Sequence, residues 1–268
     1  MIKQTDNDPR NVRRLYNDLA HLWHLVSPLD DYLEETEIFC DILEKKSEIP
    51  VSILLHLGCG RGHNDFIFKQ HYEVTGVDIS PTMLQWAKVL NPEVEYIQGD
   101  MRTVQLDKKF DAVVAIDSVD YLVTEVDLKR LFNNAFDHLR EGGIFMFILE
   151  SIVERFKQND TIMYSNHTED EFLTVIENRF DPDVTDSEYE ATFIYLYRQK
   201  GKLEILTDRH LCGLYSIELV RKLLHEAGFV VEIIEYRPPE SALGNIENIS
   251  EETYPLFIAS KTQKINLD

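Results

Sequence analysis

The chain has little of three things that would point to particular classes of protein: cysteine, long apolar runs and positive charge. Its three cysteines, Cys40, Cys59 and Cys212, lie far apart and include no CxxC pair, which argues against a disulfide scaffold or a structural zinc site. No apolar run approaches the ~18 residues of a membrane-spanning helix, and the polar stretch from Met1 to Arg14 contains no secretory signal. We therefore expect a cytoplasmic protein that does not enter a membrane.

The scarcity of basic residues narrows the range of partners. The sequence has 27 Lys and Arg against 48 Asp and Glu, a formal net charge of −21. Binding to a phosphate backbone depends on basic patches that release counterions, and this sequence has no such patch of useful size. We expect neither nucleic acid nor an anionic membrane surface as a partner. The 268 residues, 44% of them hydrophobic, are enough for one large α/β domain.

The middle of the chain alternates between β-prone runs and helical spacing. After Pro50, the nearly continuous apolar run 51–57 predicts a strand that is buried on both faces. Further strands are predicted at Val74–Val77, Val94–Ile97, Asp111–Ile116 and Gly143–Leu149, and helices at Pro81–Val89 and Glu125–Leu139. We expect glycine after the second helix, at Gly142, to form a left-handed cap. Such alternation predicts a parallel sheet covered by helices.

The two flanking regions have different patterns. Residues 1–50 are predicted to form a helical cap, in which Asp30 or Asp31 can begin the second helix. Its first helix rests on the spacing of Leu15, Leu19, Leu22 and Val26. After Glu150 the chain is polar and irregular to residue 187, and strands at 189–197 and 202–210 then flank a turn at 199–201. We interpret residues 151–216 as an antiparallel insert, or lid, rather than an independent domain.

The last part, residues 217–268, is predicted to complete the sheet. Helical spacing at Ile217–Ala227 stops at Gly228, and strands follow at Phe229–Tyr236 and Tyr254–Ser260. The four parts 1–50, 51–150, 151–216 and 217–268 are expected to form a single domain. The predicted fold is a Rossmann-like, seven-stranded, mainly parallel α/β sheet with helices on both faces, an N-terminal helical cap and the antiparallel insert.

The strongest local signal is a glycine-rich turn directly after the first predicted strand. Gly58, Gly60 and Gly62 can adopt backbone conformations that other residues avoid, and they allow a ligand to approach closely. The dinucleotide fingerprint G-x-G-x-x-G would need its third glycine at position 63, which is His63. Asp78 ends the second strand, where a carboxylate can accept the hydroxyls of a ribose. The alternative is that Asp78 caps the helix that begins at Pro81.

Together with Asp100-Met101 and Ile116-Asp117-Ser118 at later strand ends, this turn resembles the class I S-adenosylmethionine-dependent methyltransferases. The resemblance covers at least residues 51–150 and implies S-adenosylmethionine as cofactor. It implies that the turn faces the methionine part, that Asp78 and Ile79 hold the ribose, and that Asp100-Met101 reads the adenine. The cofactor-binding residues implied by it are Gly58, Cys59, Gly60, Asp78, Ile79, Met83, Asp100, Met101 and Ile116. The family usually has an acidic residue where this chain has His56.

The resemblance extends to one branch of that family, the amino-sugar N,N-dimethyltransferases and the relatives of glycine N-methyltransferase. It rests on the N-terminal aromatic segment, on the run 117–122 with Asp120 in place of Asn, and on the segment 209–216. It implies that Tyr16, Trp23 and Tyr32 close over the cofactor, where a ring attracts the sulfonium. The alternative is that these rings only anchor helices.

The resemblance leads us to expect methyl transfer to a small-molecule acceptor. A neutral amine needs no strong base, and the sequence offers no obvious base or metal site, so an amine nitrogen is favoured. Tyr121 and His210 are the catalytic candidates on the acceptor side, although a structural role is favoured for His210. No His pair has metal-ligand spacing, and no metal is expected. The alternative is an inactive S-adenosylmethionine-binding sensor, for which His56 is the main argument, and a homodimer stays open.

Overall fold

The computed structural model describes residues 12–242 and 253–262. A seven-stranded sheet has the order β10-β11-β5-β4-β1-β2-β3, in which β1 to β5 are parallel and β11 is antiparallel to its neighbours. Its strands are β1 (Ile53–Leu57), β2 (Glu73–Asp78), β3 (Glu95–Gln98), β4 (Phe110–Ala115), β5 (Leu139–Ile148), β10 (Val230–Tyr236) and β11 (Tyr254–Ser260). The Rossmann-like sheet that the alternation predicted is confirmed.

Helices cover both faces of this sheet because its central strands are apolar on both sides. Along β1, Leu55 and Leu57 face one core and Leu54 faces the other. One face packs against α5 (Glu125–His138) and α6 (Ile217–Ala227), and the other against α2 (Asp30–Lys46), α3 (Asp65–His71) and α4 (Pro81–Leu90). Strand β4 is buried along its whole length, which excludes water from the centre of the molecule.

A second sheet consists of four antiparallel strands in the order β6-β7-β8-β9. These are β6 (Asp160–His167), β7 (Glu171–Phe180), β8 (Glu188–Gln199) and β9 (Lys202–Gly213). Strands β8 and β9 form the predicted hairpin, and its two-residue turn has positive φ at Lys200 and Gly201. The prediction that residues 151–187 are irregular is wrong, because β6 and β7 lie there. Their mixture of polar and apolar residues gives only half-buried strands, which leave a weak pattern in sequence.

The N-terminal segment differs from the predicted helix. Residues 14–26 form 3-10 turns at Arg14–Tyr16 and Ala20–Leu22 and a short helix α1 (Trp23–Val26). The buried side chains of this segment pack on the second sheet rather than on the main one: Leu15, Leu19, Leu22 and Leu25 contact Leu173, Val175, Tyr195 and Tyr197. Helical spacing was therefore produced by a series of short turns that share one buried face.

Two predicted helix ends are also corrected. Helix α5 ends at His138, and Gly142, with φ of 85°, lies within β5 where the register with β4 shifts, so it does not cap the helix. Asp30 and Asp31 lie in the first turn of α2 and make no side-chain cap bond. By contrast, Gly228 ends α6 in the left-handed conformation, as predicted. Within the described residues, no helix is both long and apolar enough to cross a membrane.

Candidate functional site

A cleft of about 410 Å³ opens at the carboxyl ends of β1, β2, β3 and β4. The end of β2 and the turns after β1 and β3 form one side, which we call the strand-end wall: Gly58, Cys59, Gly60, Arg61, Asp78, Asp100 and Met101. Four rings form the other side, which we call the aromatic wall: Tyr16, Trp23, Tyr32 and Tyr121. Ile116 lines the cleft as well, and Ile79 does so at its exposed rim. Open α/β sheets place ligands at this edge.

The glycine-rich turn is held by the neighbouring strand. The backbone N–H groups of Gly58 and Cys59 both donate to Val77 O, at 2.7 and 3.0 Å. Gly58 and Gly60 have φ of 75° and 53°. A Cβ on Gly58 would lie 2.5 Å from the side chain of Ser118, whereas a Cβ on Gly60 would meet only Met83 Cε, at 3.9 Å. Gly60 thus leaves room in the cleft that a ligand can occupy.

Asp78 joins the turn to the end of β2. Its carboxylate accepts hydrogen bonds from Gly60 N at 2.8 Å and from Ser80 N at 2.7 Å. Burial raises the pKa of Asp78, and these two N–H groups counteract the rise. Helix α4 is capped by Ser80, whose hydroxyl accepts from Met83 N, so Asp78 is not the cap. The remaining lone pairs of Asp78 can accept hydrogen bonds from a ligand in the cleft.

Arg61 brings a positive charge to the strand-end wall. Its guanidinium lies 4.5 Å from the centre of the Trp86 ring, and burial lowers its pKa. Its Nε and Nη1 atoms are buried and have no hydrogen-bond partner among the described residues. Buried guanidinium donors without partners are costly in a folded protein. Arg61 is therefore suited to an anionic ligand group such as a carboxylate.

Three further residues that the resemblance implies in cofactor binding, Asp100, Met83 and Cys59, differ in whether they line the cleft. Asp100 lines the cleft, but its oxygens already accept from Arg102 at 2.6–3.0 Å. Although burial opposes this, the arginine holds the pKa of Asp100 below its usual range. Met83, which the resemblance also implies as a cofactor-binding residue, is fully buried beneath Gly60 and does not line the cleft. The thiol of Cys59 is buried, which raises its pKa.

His56, which replaces the usual acid, lies behind the glycine-rich turn and not among the residues that line the cleft. Alternation along β1 turns it towards α3, where its Nδ1 lies 2.7 Å from Asp65 Oδ1, and both side chains are buried. Asp65 also accepts from the Tyr96 hydroxyl at 2.9 Å. Asn91 in turn donates to Tyr96 and to Gly62 O. This network anchors the end of the turn from below.

The aromatic wall contains a pair of tyrosine hydroxyls in direct contact. Tyr16 Oη and Tyr121 Oη are 2.6 Å apart, and the ring of Trp23 lies 5.3 Å from that of Tyr16. Tyr32 shares a 2.7 Å hydrogen bond with Ser27. Burial raises the pKa of Tyr16 and of Tyr121, which keeps both phenols neutral. The wall combines π faces with polar hydroxyls.

His210 does not line the cleft but lies directly behind this wall. It is buried on β9, and its Nδ1 is 3.0 Å from the Tyr121 hydroxyl. On the other side of the ring, Nε2 is 3.0 Å from Asp208 Oδ2. Two residues apart on one strand, Asp208 and His210 share a face. Tyr121 and His210, both expected on the acceptor side, are thus brought into contact.

A group of acidic side chains interacts with Asp117, which is the member of the group that lines the cleft. Asp117 lines the cleft with φ of 51°, and burial together with the charges of Glu150 and Glu35 raises its pKa well above the usual range. Burial raises the pKa of Glu35 and of Asp120 to about 7. Carboxylates so placed hold protons unless a cation compensates them. This end of the cleft favours a positively charged ligand group.

With this geometry in place, known proteins provide an identity. A family model described as a methyltransferase domain matches residues 54–143. A protein of Geobacillus sp. (strain WCH70) named as a methyltransferase is 30% identical over 187 residues, which cover 66% of this chain and 74% of that protein. This chain belongs to the methyltransferase family.

Other relatives agree with the branch that the motifs predicted. The dTDP-3-amino-3,4,6-trideoxy-alpha-D-glucopyranose N,N-dimethyltransferase of Streptomyces venezuelae is 34% identical over 116 residues. These residues cover 42% of this chain and 48% of that relative. The structure of Streptomyces venezuelae DesVI superimposes with a TM-score of 0.77 at 23% identity, over 91% of this chain and 97% of that one. CalS10 is an amino pentose methyltransferase from Micromonospora echinaspora whose structure was solved with S-adenosylmethionine. It superimposes with a TM-score of 0.74 at 21% identity, over 86% of this chain and 92% of that one. The resemblance to S-adenosylmethionine-dependent methyltransferases is confirmed.

Sequence reasoning missed three residues of the methyltransferase site. Arg61 stands inside the glycine motif itself, where a basic residue in a ligand-binding turn is a usable signal. Asp117 ends β4 and was noted only as part of a motif. Asp208 could have been found from its D-x-H spacing to His210 on a predicted strand, since such residues share a face.

A further group of possible metal ligands lies elsewhere in the methyltransferase. Glu37, Cys40 and His71 place one ligand atom each within 4.8 Å of the others, although no sequence spacing indicated this. His71 Nε2 lies 3.0 Å from Glu37 Oε2, and none of the three lines the cleft. The group is a hydrogen-bonded histidine–glutamate pair beside a buried thiol whose pKa burial raises.

Proposed function

We propose that the methyltransferase binds S-adenosylmethionine against the strand-end wall and methylates an amine nitrogen of a small molecule, such as an amino sugar. The observation that carries the proposal is the cleft itself, which Asp117 lines and in which a wall suited to the cofactor faces an aromatic wall. The name of the Streptomyces venezuelae relative, an N,N-dimethyltransferase of an amino sugar, supports the choice of acceptor.

The residues of the strand-end wall fit the cofactor one group at a time. Gly60 leaves open space, and Asp78 has lone pairs for two ribose hydroxyls. The unpartnered Nε and Nη1 atoms of Arg61 are suited to the carboxylate of the methionine part. Met101 offers its backbone N–H to the adenine edge. Each assignment is a proposal that a variant at that position can test.

The acidic residues around Asp117 support an amine rather than a hydroxyl or carboxylate acceptor. Burial raises the pKa of Asp117, Glu35 and Asp120, and the negative charges of neighbouring carboxylates, which repel one another, raise it further. An ammonium group entering the cleft relieves this repulsion, whereas an anionic acceptor increases it.

The chain's own part in the reaction is to orient and to exclude water. Bound S-adenosylmethionine supplies an activated methyl group, which the amine lone pair takes while the C–S electron pair stays on sulfur. The rings of Tyr16, Trp23 and Tyr32 cover the cleft and offer π faces to a sulfonium. Alignment of the two reactants provides most of the acceleration in such a step. We further propose that residues 151–216 select the acceptor.

The test has a binding part and a turnover part. Calorimetry with S-adenosylmethionine, S-adenosylhomocysteine and NAD is expected to show binding of the first two only. Turnover is then measured as S-adenosylhomocysteine formed with a nucleotide-linked 3-amino sugar and with its 3-hydroxy counterpart, a matched pair that differs in one atom. We expect a product with added methyl mass from the amino sugar only.

Two results would contradict the proposal. Methylation of the hydroxyl compound or of a carboxylate, with none of the amine, would reject the acceptor class. Binding of NAD alone would reject the cofactor. The alternative of an inactive sensor depended on His56, and this side chain is paired with Asp65 outside the residues that line the cleft.

A further inference from the structure

We propose that Tyr16, Tyr121, His210 and Asp208 form a proton relay that takes up the proton released by the acceptor amine, an inference that rests on the proposed methylation of an amine. The four side chains form one continuous series of contacts. Tyr16 Oη lies 2.6 Å from Tyr121 Oη, which lies 3.0 Å from His210 Nδ1, and His210 Nε2 lies 3.0 Å from Asp208 Oδ2. The series begins in the cleft and ends in the interior of the protein.

The inner end of the relay determines the direction of its hydrogen bonds. Burial by itself raises the pKa of Asp208, but hydrogen bonds from His210 and from backbone N–H groups, including that of Leu15 at 2.8 Å, hold it below the usual range. An ionised Asp208 accepts only, so Nε2 of His210 carries the proton that is donated to it. In a neutral ring, Nδ1 then accepts from the Tyr121 hydroxyl, and Tyr121 accepts from Tyr16.

This direction is the one that uptake of a proton from the cleft requires. The acceptor's N–H proton passes to the Tyr16 oxygen, the Tyr16 proton to the Tyr121 oxygen and the Tyr121 proton to His210 Nδ1. Both phenols remain neutral, and the amine becomes a free nucleophile. The resulting imidazolium is stabilised by the Asp208 carboxylate. After the product leaves, the proton returns along the same path to water in the cleft.

The surroundings of Tyr121 and His210 are mostly apolar or cationic, whereas the charge of Glu150 acts on Tyr16 and on Cys212. Phe193 packs 4.7 Å from the centre of the His210 ring, and the Arg13 guanidinium lies 4.7 Å from the centre of the Tyr121 ring. Cys212, a neighbour of Tyr121, has a thiol whose pKa is raised by burial. The guanidinium of Arg14 also acts on Asp208, whereas the buried hydroxyl of Tyr195 is a neutral neighbour of that carboxylate. Among the described residues, Asp208 is the one carboxylate in hydrogen-bond contact with His210.

The kinetic test uses two variants that interrupt the relay at different points. Tyr121→Phe removes the linking hydroxyl, and Asp208→Asn removes the charge while keeping an oxygen for Leu15 N. For each we expect kcat to fall about ten- to a hundredfold at pH 7, and the affinity for S-adenosylhomocysteine to stay within about twofold. The loss should shrink as pH rises, because solution then deprotonates the amine. Tyr195→Phe is the matched control, since its buried hydroxyl has no hydrogen-bond partner among the described residues.

A second measurement is independent of turnover. Nitrogen-15 NMR of histidine-labelled wild-type protein, with the signal of His210 assigned by a His210→Gln variant, should show the Nε2–H tautomer at neutral pH. A protonated Nδ1 would overturn the relay, because Tyr121 could not donate to it. Unchanged kcat and pH profile in both Tyr121→Phe and Asp208→Asn would overturn it as well, while methylation of the amine by these variants would leave the proposed function standing. Absence of amine methylation in the wild type would reject the proposed function and the relay with it, whereas a protonated Nδ1 would overturn the relay alone.

Discussion

The two walls of the cleft are built in different ways. The strand-end wall consists of the end of β2 and of short turns that directly follow β1 and β3, and its main internal contact, from Gly60 N to Asp78, joins residues 18 positions apart. The aromatic wall is assembled from distant segments: Tyr16 meets Tyr121 over 105 positions, Tyr121 meets His210 over 89, and Leu15 meets Asp208 over 193. The first wall is a local product of the parallel sheet, and the second exists only once the lid has folded.

The different construction of the two walls fits the different demands of the two proposed ligands, the cofactor and the acceptor. The strand-end wall is fixed by backbone hydrogen bonds within the main sheet, which suits a cofactor that always has the same shape. The aromatic wall depends on the N-terminal segment packing against the second sheet through Leu15, Leu19, Leu22 and Leu25. Tyr16 and Trp23, which lie on this segment, can vary without disturbing the main core, which suits the choice of acceptor.

The largest expected effect tests the strand-end wall. Gly60→Val should weaken cofactor binding by more than about a hundredfold, because the side chain enters space that the protein leaves empty apart from Met83 Cε. The positive φ of 53° adds strain of ~1–3 kcal/mol. Gly201→Val is the control, since its φ is 77° and no atom lies within 4 Å of its Cβ. Calorimetry and melting curves on both variants should show equal destabilisation, with lost binding in Gly60→Val alone.

Asp78→Ala should have a smaller effect, and on two quantities. Loss of the ribose acceptor should weaken cofactor affinity about ten- to a hundredfold, as expected for hydrogen bonds to a charged group. Loss of the bonds from Gly60 N and Ser80 N should also lower the free energy of unfolding, by about 1–2 kcal/mol. Asp78→Asn should lose less of both. Native affinity in a destabilised Asp78→Ala protein would reject the ribose assignment.

The smallest effect is expected on stability, at Asp120, which contacts the point where the chain passes from the main sheet to the lid. Asp120 accepts from the backbone N–H groups of Glu150 and Ser151, where the chain leaves the main sheet for the lid, at 3.4 and 3.5 Å. Burial raises its pKa to about 7 in the folded state, so the folded protein binds a proton that the unfolded chain has released. The free energy of unfolding therefore falls as pH rises from about 4 to about 7.

Asp120→Asn removes this loss and restores the residue of the resembled branch. At pH 8 we expect a melting temperature higher by several degrees, corresponding to ~1–3 kcal/mol, and no gain at pH 4. Asp170→Asn is the control, since it removes the same charge from an exposed site. A gain that is independent of pH would show that the protonation of Asp120 does not contribute to it.

Much of the main sheet could be predicted because its signals are local. The run 51–57, the glycine-rich turn and the stop at Gly228 each depend on a few neighbouring residues, and the structure places strands and turns there. Predictions failed where packing across the chain decided the outcome. Strands β6 and β7 were missed because each is half-buried, and the N-terminal helix was replaced by turns that cover the second sheet.

The family and the parallel sheet could be predicted from the sequence alone, and so could the strand-end positions of Gly58, Gly60, Asp78 and Asp100. These signals are local, because alternation and turn chemistry act over short distances. Three contacts could be found only in the folded structure. His56 pairs with Asp65, Met83 lies beneath the turn, and Asp208 lies behind His210 and Tyr121. These contacts join side chains whose approach depends on how helices and a second sheet pack on the first. The burial of these side chains and the distances between them determine their chemistry, and neither can be read from the type of residue alone.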